Sequence, residues 1–165
     1  MLQEGEIYVS TGEVFVTSCK IKLKTDGIGS CIAVVGYDEK ENIGALAHIM
    51  FAGSSSHRQI YYNTKYAEDA LEVMLYRMKR LGAKQIEVCL VGGGNVLGNL
   101  NDTVCSNNIA SVKEILSLNK IKIIKEVVGG NVRRGVCLDI SCATVYYYEG
   151  GSEVKILYKW NKSQS

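Results

Sequence analysis

A cysteine and a histidine stand at the ends of two neighbouring apolar segments of this sequence. Cys31 ends the glycine-rich segment Thr25-Asp26-Gly27-Ile28-Gly29-Ser30-Cys31, and His48 lies near the end of a later apolar run. A cysteine that attacks a carbonyl carbon works as the thiolate, and a histidine beside it can take the thiol proton. This pair of residue types indicates acyl-transfer chemistry with Cys31 as nucleophile and His48 as base.

The residues before Cys31 suit it to such chemistry. Gly27 and Gly29 can adopt backbone dihedral angles that are closed to other residues. The segment with Gly27, Gly29 and Ser30 then leaves backbone N–H groups near the sulfur, where they could stabilise an oxyanion. The same pattern also occurs as an ordinary tight turn leading into a buried strand, so by itself it does not establish a catalytic loop.

The sequence contains two histidines, so a Cys/His enzyme must use one of them. His48 lies in an apolar segment, where a histidine is often a hydrogen-bonded structural residue. His57 lies in a polar, serine-rich segment, where a solvated surface histidine is the simpler interpretation. The predicted arrangement of strands favours His48 over His57.

Two apolar runs, residues 32–37 and 43–50, predict consecutive buried strands. The charged segment 38–42 between them has the length of a hairpin turn. An antiparallel hairpin brings together the two run ends that are distant in sequence. We therefore expect Cys31 and His48 to lie side by side.

The rest of the chain predicts two amphipathic helices and further strands. Apolar residues recur at helical spacing over residues 66–81, and again over a shorter segment near residues 108–118. Further strands are predicted at residues 14–16, 20–24, 85–91, 121–128, 136–140, 144–148 and 154–160. Strands outnumber helices and occur in runs, which favours an α+β fold. We expect mixed, largely antiparallel β-sheets packed in layers, with the two main helices on the outside.

Composition narrows the class of protein. A chain of 165 residues fits one domain over residues 1–165, with a polar tail at 162–165. The net charge of +2, from 19 basic and 17 acidic residues, is too small to indicate a nucleic-acid partner. No apolar stretch reaches the roughly 18 residues that cross a bilayer, and the N-terminus lacks a signal-peptide pattern. We expect a cytoplasmic protein without membrane insertion.

Other patterns argue against a bound metal or nucleotide. The six cysteines form no C-x-x-C pair, and with two histidines a zinc site is not expected. The turn Gly92-Gly93-Gly94-Asn95 lacks the Gly-Lys-Ser/Thr ending of a phosphate-binding loop. Arg133 and Arg134 could anchor an acidic surface of a partner, although paired arginines beside a turn are usually solvated.

Taken in order along the chain, these motifs resemble the chemoreceptor glutamine deamidase family, CheD. The similarity extends over roughly residues 7–148, which makes it far more specific than any single motif. The matching segments are Thr25-x-Gly27-x-Gly29-Ser30-Cys31, Gly44-Ala45-x-Ala47-His48, Tyr66-Ala67, Leu81-Gly82-Ala83-Lys84, Gly92-Gly93-Gly94, Asn108 and Gly129-Gly130-Asn131-x-Arg133-Arg134-Gly135-Val136.

The resemblance implies a protein-glutamine glutaminase that acts on the cytoplasmic domain of methyl-accepting chemotaxis receptors. It implies that Cys31 is the nucleophile, His48 the general base and Thr25 the third member, which positions the histidine. No metal or organic cofactor is implied. A threonine gives the histidine a hydrogen bond but no charge, unlike the more usual Asp or Asn. A plain β-branched strand residue is the other interpretation of Thr25.

Two alternatives to this function stay open. Some members of the family bind a CheC-type phosphatase, so the chain could act mainly as a regulatory adaptor. The same Cys/His pair also serves other acyl-transfer enzymes, such as a cysteine peptidase, since surface loops decide specificity.

The sequence departs from the family pattern in two places. The family commonly continues its histidine strand with Leu-Pro, whereas Ile49-Met50-Phe51-Ala52 follows here, and we expect the missing proline to loosen the start of the loop. The family commonly opens its second helix with Gly-x-Arg-Asn, whereas this chain has Cys105-Ser106-Asn107-Asn108 and lacks the arginine.

Overall fold

The computed structural model describes residues 5–56, 61–99 and 103–161, so His57 and the predicted tail at 162–165 lie outside the described residues. Over the described ranges the chain forms ten strands and two helices. In chain order these are β1 (Glu6–Tyr8), β2 (Val14–Thr17), β3 (Lys22–Ile28), β4 (Ile32–Asp38), β5 (Ile43–Ile49), α1 (Ala67–Arg80), β6 (Glu87–Gly92), α2 (Val104–Leu118), β7 (Lys122–Val128), β8 (Arg134–Asp139), β9 (Thr144–Glu149) and β10 (Lys155–Lys159).

The strands form two five-stranded sheets. Sheet 1 has the order β1-β3-β8-β9-β10, and sheet 2 has the order β2-β5-β4-β6-β7. The pairs β1/β3 and β6/β7 are parallel, and the other neighbouring pairs are antiparallel. The prediction of an α+β fold with mixed, largely antiparallel sheets is confirmed.

The central strands of sheet 2 separate two hydrophobic cores. Along β4, Ile32 and Val34 pack in the core that includes the helices, while Ala33 and Val35 pack in the core between the two sheets. This alternation follows from the two-residue period of a strand. The layers are therefore sheet 1, sheet 2 and helices, and β4 and β5 are buried along their whole length.

The two helices cover the outer face of sheet 2. In α1 the side chains of Leu71, Met74 and Met78 are fully buried, as the predicted apolar stripe requires. Helix α2 begins at Val104, earlier than predicted, because the polar residues of its first turns hide the apolar period. No helix in the described ranges is long and apolar enough to cross a membrane.

The segment before Cys31 differs from the predicted glycine turn. β3 continues through Thr25 and Gly27 to Ile28, with an irregularity in its pairing with β8 between Thr25 and Ile28. The turn that leads to Cys31 is therefore shorter than predicted. Extending the strand is possible because Gly27 adopts a positive φ of 64°, which lets the chain kink without ending the sheet.

The expected loosening after His48 is wrong. The backbone N–H groups of Met50 and Phe51 donate hydrogen bonds to the Lys65 carbonyl at 2.8 and 2.9 Å. A proline at either position could not donate such a bond. The residues that follow the histidine strand are thus tied to the segment that precedes α1.

The β4–β5 hairpin, which carries His48, is closed by a buried carboxylate. Asp38 Oδ1 accepts hydrogen bonds from the backbone N–H groups of Lys40 and Glu41, and Oδ2 accepts from those of Lys84 and Gln85, at 2.7 to 3.1 Å. Burial raises the pKa of this carboxyl, but the four N–H donors outweigh burial and hold the pKa below its usual range.

Replacing Asp38 with alanine should lower the free energy of unfolding by about 3 kcal/mol, because four backbone donors lose a charged acceptor. The matched change Lys40→Ala, in the same turn but exposed, should cost less than about 0.5 kcal/mol.

The folded state holds the Asp38 pKa below the unfolded value, so its stabilisation is present above about pH 4 and is lost as pH falls further. Urea unfolding at pH 7 and pH 3 measures both effects; an equal gap between wild type and Asp38→Ala at the two pH values would contradict them.

Candidate active site

His48 is held between the two sheets by Thr25. Its strand, β5, belongs to sheet 2, whereas Thr25 lies on β3 of sheet 1. The distance between Thr25 Oγ1 and His48 Nδ1 is 2.7 Å, and the two residues are 0% and 1% exposed. The other ring nitrogen, Nε2, is buried and has no hydrogen-bond partner among the described residues. The ring is therefore fixed at one nitrogen and available at the other.

The register of the hairpin places Cys31 diagonally from His48. Ala33 is the direct partner of His48, and Ile32 pairs with Ile49. Cys31 precedes β4 and lies two residues from Ala33, so it continues the same face of the strand toward His48. The predicted hairpin is confirmed, but the residue directly opposite the histidine is Ala33.

Burial favours the neutral form of both the Cys31 thiol and the His48 imidazole. Desolvation raises the pKa of the Cys31 thiol, and its own backbone N–H opposes this by a smaller amount. Desolvation lowers the pKa of His48 below 6.5. Both shifts favour a thiol and an uncharged imidazole in the resting site at neutral pH.

Cys31 opens onto a small cleft. The cleft has a volume of about 270 Å³, and Cys31 is half-buried in its wall. The predicted loop residues Gly27, Gly29 and Ser30 line the same cleft, while His48 is not among its lining residues. The remaining lining residues are Gly94, Asn95, Val96, Leu97, Cys105 and Arg133. Of the two side chains, the cleft therefore exposes the thiol and not the imidazole.

The loop that carries Cys31 is supported by the glycine turn after β6. Gly93 N–H donates to the Cys31 carbonyl and Gly94 N–H donates to the Gly29 carbonyl, both at 2.8 Å. A Cβ atom on Gly92 would clash with the Cys31 carbonyl oxygen, and Gly92 also has a positive φ of 129°. The glycine turn therefore lets its backbone lie directly against the backbone of the loop that carries Cys31. This role is structural and differs from that of a phosphate-binding loop.

Asn108 joins the two segments that hold the reactive side chains. Its Nδ2 donates hydrogen bonds to the Ser30 carbonyl at 2.9 Å and to the Met50 carbonyl at 3.0 Å. Ser30 precedes Cys31, and Met50 follows the strand of His48. The Asn108 side chain is buried, so both bonds form away from competing water.

The two adjacent arginines have separate positions. Arg134 is buried; its Nε bonds Glu149 at 3.0 Å and its guanidinium donates to the carbonyls of Gly92 and Gly129. Arg133 is exposed and lines the cleft beside Cys31. Arg134 thus supports the glycine turn, and only Arg133 is placed to meet a partner molecule.

The structure brings Thr25, His48 and Cys31 to one place, and the roles of these residues stay predictions. The supporting roles of Asn108, Gly92 and Arg134 were not predicted from the sequence, although each lies in a segment that carried the family resemblance. Arg134 was considered there as an anchor for a partner, whereas it is buried and bonded within the fold. The described residues contain no group of three or more His, Cys, Asp or Glu side chains that could hold a metal ion.

Comparison with known proteins finds one family. The model of the family described as CheD chemotactic sensory transduction matches residues 50–148. Among similar curated proteins is a probable chemoreceptor glutamine deamidase CheD of Desulforamulus reducens, 33% identical over 93% of this chain and 96% of the relative. Another, from Methanosarcina barkeri, is 36% identical over 73% of this chain and 82% of the relative. A third, CheD 1 of Methanosarcina acetivorans, is 31% identical over 84% and 89%.

Replacing Asn108 with alanine should lower the free energy of unfolding by about 2 to 3 kcal/mol, because the Ser30 and Met50 carbonyls lose a buried donor. Asn108→Asp should be no better, since a carboxylate cannot donate to a carbonyl. The matched control is Asn119→Ala: the Asn119 amide also donates to a carbonyl, that of Ile115 at 2.8 Å, but it is exposed. Chemical denaturation of the three variants checks this, and equal losses at positions 108 and 119 would contradict the role of Asn108.

Proposed function

The chain belongs to the CheD family of chemotactic sensory transduction proteins, and from this premise we propose that it is a protein-glutamine glutaminase of chemoreceptors. It converts glutamine side chains on the cytoplasmic domain of these receptors to glutamate and releases ammonia. Cys31 is the nucleophile, His48 the general base and Thr25 the residue that orients the base. The observation that carries the proposal is the 2.7 Å contact between Thr25 and His48, on the strand whose register sets His48 diagonally from Cys31.

The first step is attack on the glutamine carboxamide. The glutamine side chain enters the cleft, His48 Nε2 takes the proton from Cys31 Sγ, and the sulfur bonds to the carboxamide carbon. Negative charge then develops on the carboxamide oxygen. The donors proposed to stabilise this charge are backbone N–H groups of Cys31 and of Gly27, Gly29 and Ser30, which line the same cleft.

The second step releases ammonia and regenerates the enzyme. The proton on His48 passes to the nitrogen of the tetrahedral intermediate, the carbon–nitrogen bond breaks, and a thioester on Cys31 remains. A water molecule then gives a proton to His48 and attacks the thioester carbon. The carbon–sulfur bond breaks, His48 returns the proton to the sulfur, and the product is glutamate. Each proton taken by His48 is given back, so the cycle needs no cofactor.

Thr25 can orient a neutral His48 through Nδ1. A hydroxyl can accept a hydrogen bond from Nδ1–H but carries no charge to stabilise an imidazolium. Because burial holds His48 neutral, its Nε2 lone pair is available at neutral pH without such a charge. The rate should fall only as pH drops below 6.5, where His48 becomes protonated and can no longer act as base.

Two further parts complete the proposal. Residues 1–165 are proposed, from the length of the chain, to form one deamidase-like domain. A CheC-type phosphatase is proposed, from the family resemblance, as a regulatory partner.

The test incubates the protein with the purified cytoplasmic domain of a chemoreceptor and maps conversion of glutamine to glutamate by mass spectrometry. Cys31→Ser should reduce conversion at least a thousandfold, because a serine hydroxyl is a far weaker nucleophile beside a neutral imidazole. Cys19→Ser, which alters an exposed thiol outside the cleft, should leave the rate unchanged. Conversion that survives Cys31→Ser would refute the mechanism, and conversion lost equally in both variants would point to a nonspecific effect of thiol removal.

A further inference from the structure

The cleft at Cys31 is too small to select a macromolecular substrate by itself. Small-molecule pockets commonly have volumes of about 300 to 1,000 Å³, and this cleft, with about 270 Å³, is just below that range. It has room for one side chain presented from a larger surface. Any glutamine side chain has the same reactive end, so discrimination between glutamines must come from residues around the mouth.

One cation lies at this mouth. Of the described residues that line the cleft, only Arg133 carries a charge. Its side chain is exposed, and within the described part of the chain it forms no ion pair or side-chain hydrogen bond. The adjacent Arg134 makes contacts to Glu149, Gly92 and Gly129 instead. The structural task of supporting the glycine turn is therefore met by Arg134, and the Arg133 guanidinium is available to a ligand.

An apolar side chain lies at the same mouth. Leu97 lines the cleft and is 87% exposed, the largest exposed fraction of any large hydrophobic residue described. Val96 lies next to it in the lining and also contacts the position of Gly29. An exposed leucine beside a reactive thiol offers apolar area that a docked partner can bury.

We propose that Arg133 and Leu97 select the substrate glutamine by its neighbours. The preferred glutamine has a carboxylate within a few residues, which pairs with Arg133, and an apolar side chain that covers Leu97. The partner is thus an acidic, amphipathic protein segment, the chemistry that a guanidinium and an exposed leucine recognise together. The inference rests on the proposed function and names the residues near the glutamine that the same site recognises.

The two residues should have separable effects. An ion pair at an exposed mouth contributes modestly and is screened by salt, since the Debye length falls from about 10 Å at 0.1 M to about 3 Å at 1 M. Loss of Arg133 should therefore matter for acidic substrates at low salt only. Loss of Leu97 should weaken binding of every substrate, whatever its charge and whatever the salt concentration.

The experiment uses the full chain and the cytoplasmic domain of a chemoreceptor in which one converted glutamine has been identified. Acidic residues within four positions of that glutamine are kept, or replaced by alanine or by lysine, and kcat and KM for conversion are measured by mass spectrometry. Arg133→Ala should raise KM about fivefold for the acidic form, with kcat unchanged, and should leave the alanine and lysine forms unaffected. Arg133→Glu should reverse the preference toward the lysine form, and 1 M salt should remove these differences.

The controls separate this inference from the function on which it rests. Arg80→Ala removes the same charge from an exposed site that does not line the cleft, and should change none of these values. Leu97→Ser should raise KM by a similar factor for all three substrate forms. If Arg133→Ala slows conversion of all three substrate forms equally, or of none, then Arg133 does not recognise the charge near the glutamine. The inference then fails, while the deamidase function stands. If the wild-type protein converts no glutamine, both are overturned.

Discussion

The hydrogen bond between Thr25 Oγ1 and His48 Nδ1 connects the two sheets at the centre of the proposed chemistry. The histidine strand is buried on both faces, so the ring is positioned by the sandwich itself and not by a mobile loop. The burial that fixes the ring also lowers its pKa. Orientation and protonation state of the base therefore have one physical cause, which is the packing of sheet 1 on sheet 2.

Cys31 is positioned by different means, because it lies in the turn between β3 and β4. Backbone donors from Gly93 and Gly94 hold that turn from one side, and the Asn108 amide ties it to the end of the histidine strand. Burial raises the thiol pKa, so the site combines a neutral acid with a neutral base. Thr25 gives this imidazole an orienting hydrogen bond but no counter-charge, unlike the carboxylate of a Ser-His-Asp triad.

The sequence predicts those parts of the fold that depend on local periodicity. The β4–β5 hairpin follows from two continuous apolar runs, and helix α1 follows from apolar residues at helical spacing. The placement of Thr25 does not follow, because it requires β3 to continue past Lys24 and the two sheets to stack. These are contacts between residues distant in sequence, and Thr25 entered the prediction through family resemblance.

The supporting residues were hidden for a related reason. Asn108 is a polar residue in a helix, and nothing in its neighbours reveals that its amide reaches two carbonyls from other elements. The two arginines could not be told apart while β8 was predicted to begin at Val136. Because β8 begins at Arg134, that side chain is buried, whereas Arg133 precedes the strand and is exposed.

The proposed role of His48 requires a neutral imidazole whose Nδ1–H is held by Thr25 and whose Nε2 is free to accept a proton. Nitrogen-15 NMR of the imidazole in wild type and in Thr25→Val measures this protonation state. We expect a proton on Nδ1 at pH 8, titration with a pKa below 6.5, and loss of the single tautomer in Thr25→Val. A proton on Nε2 in the wild type, or a pKa above 6.5, would contradict it.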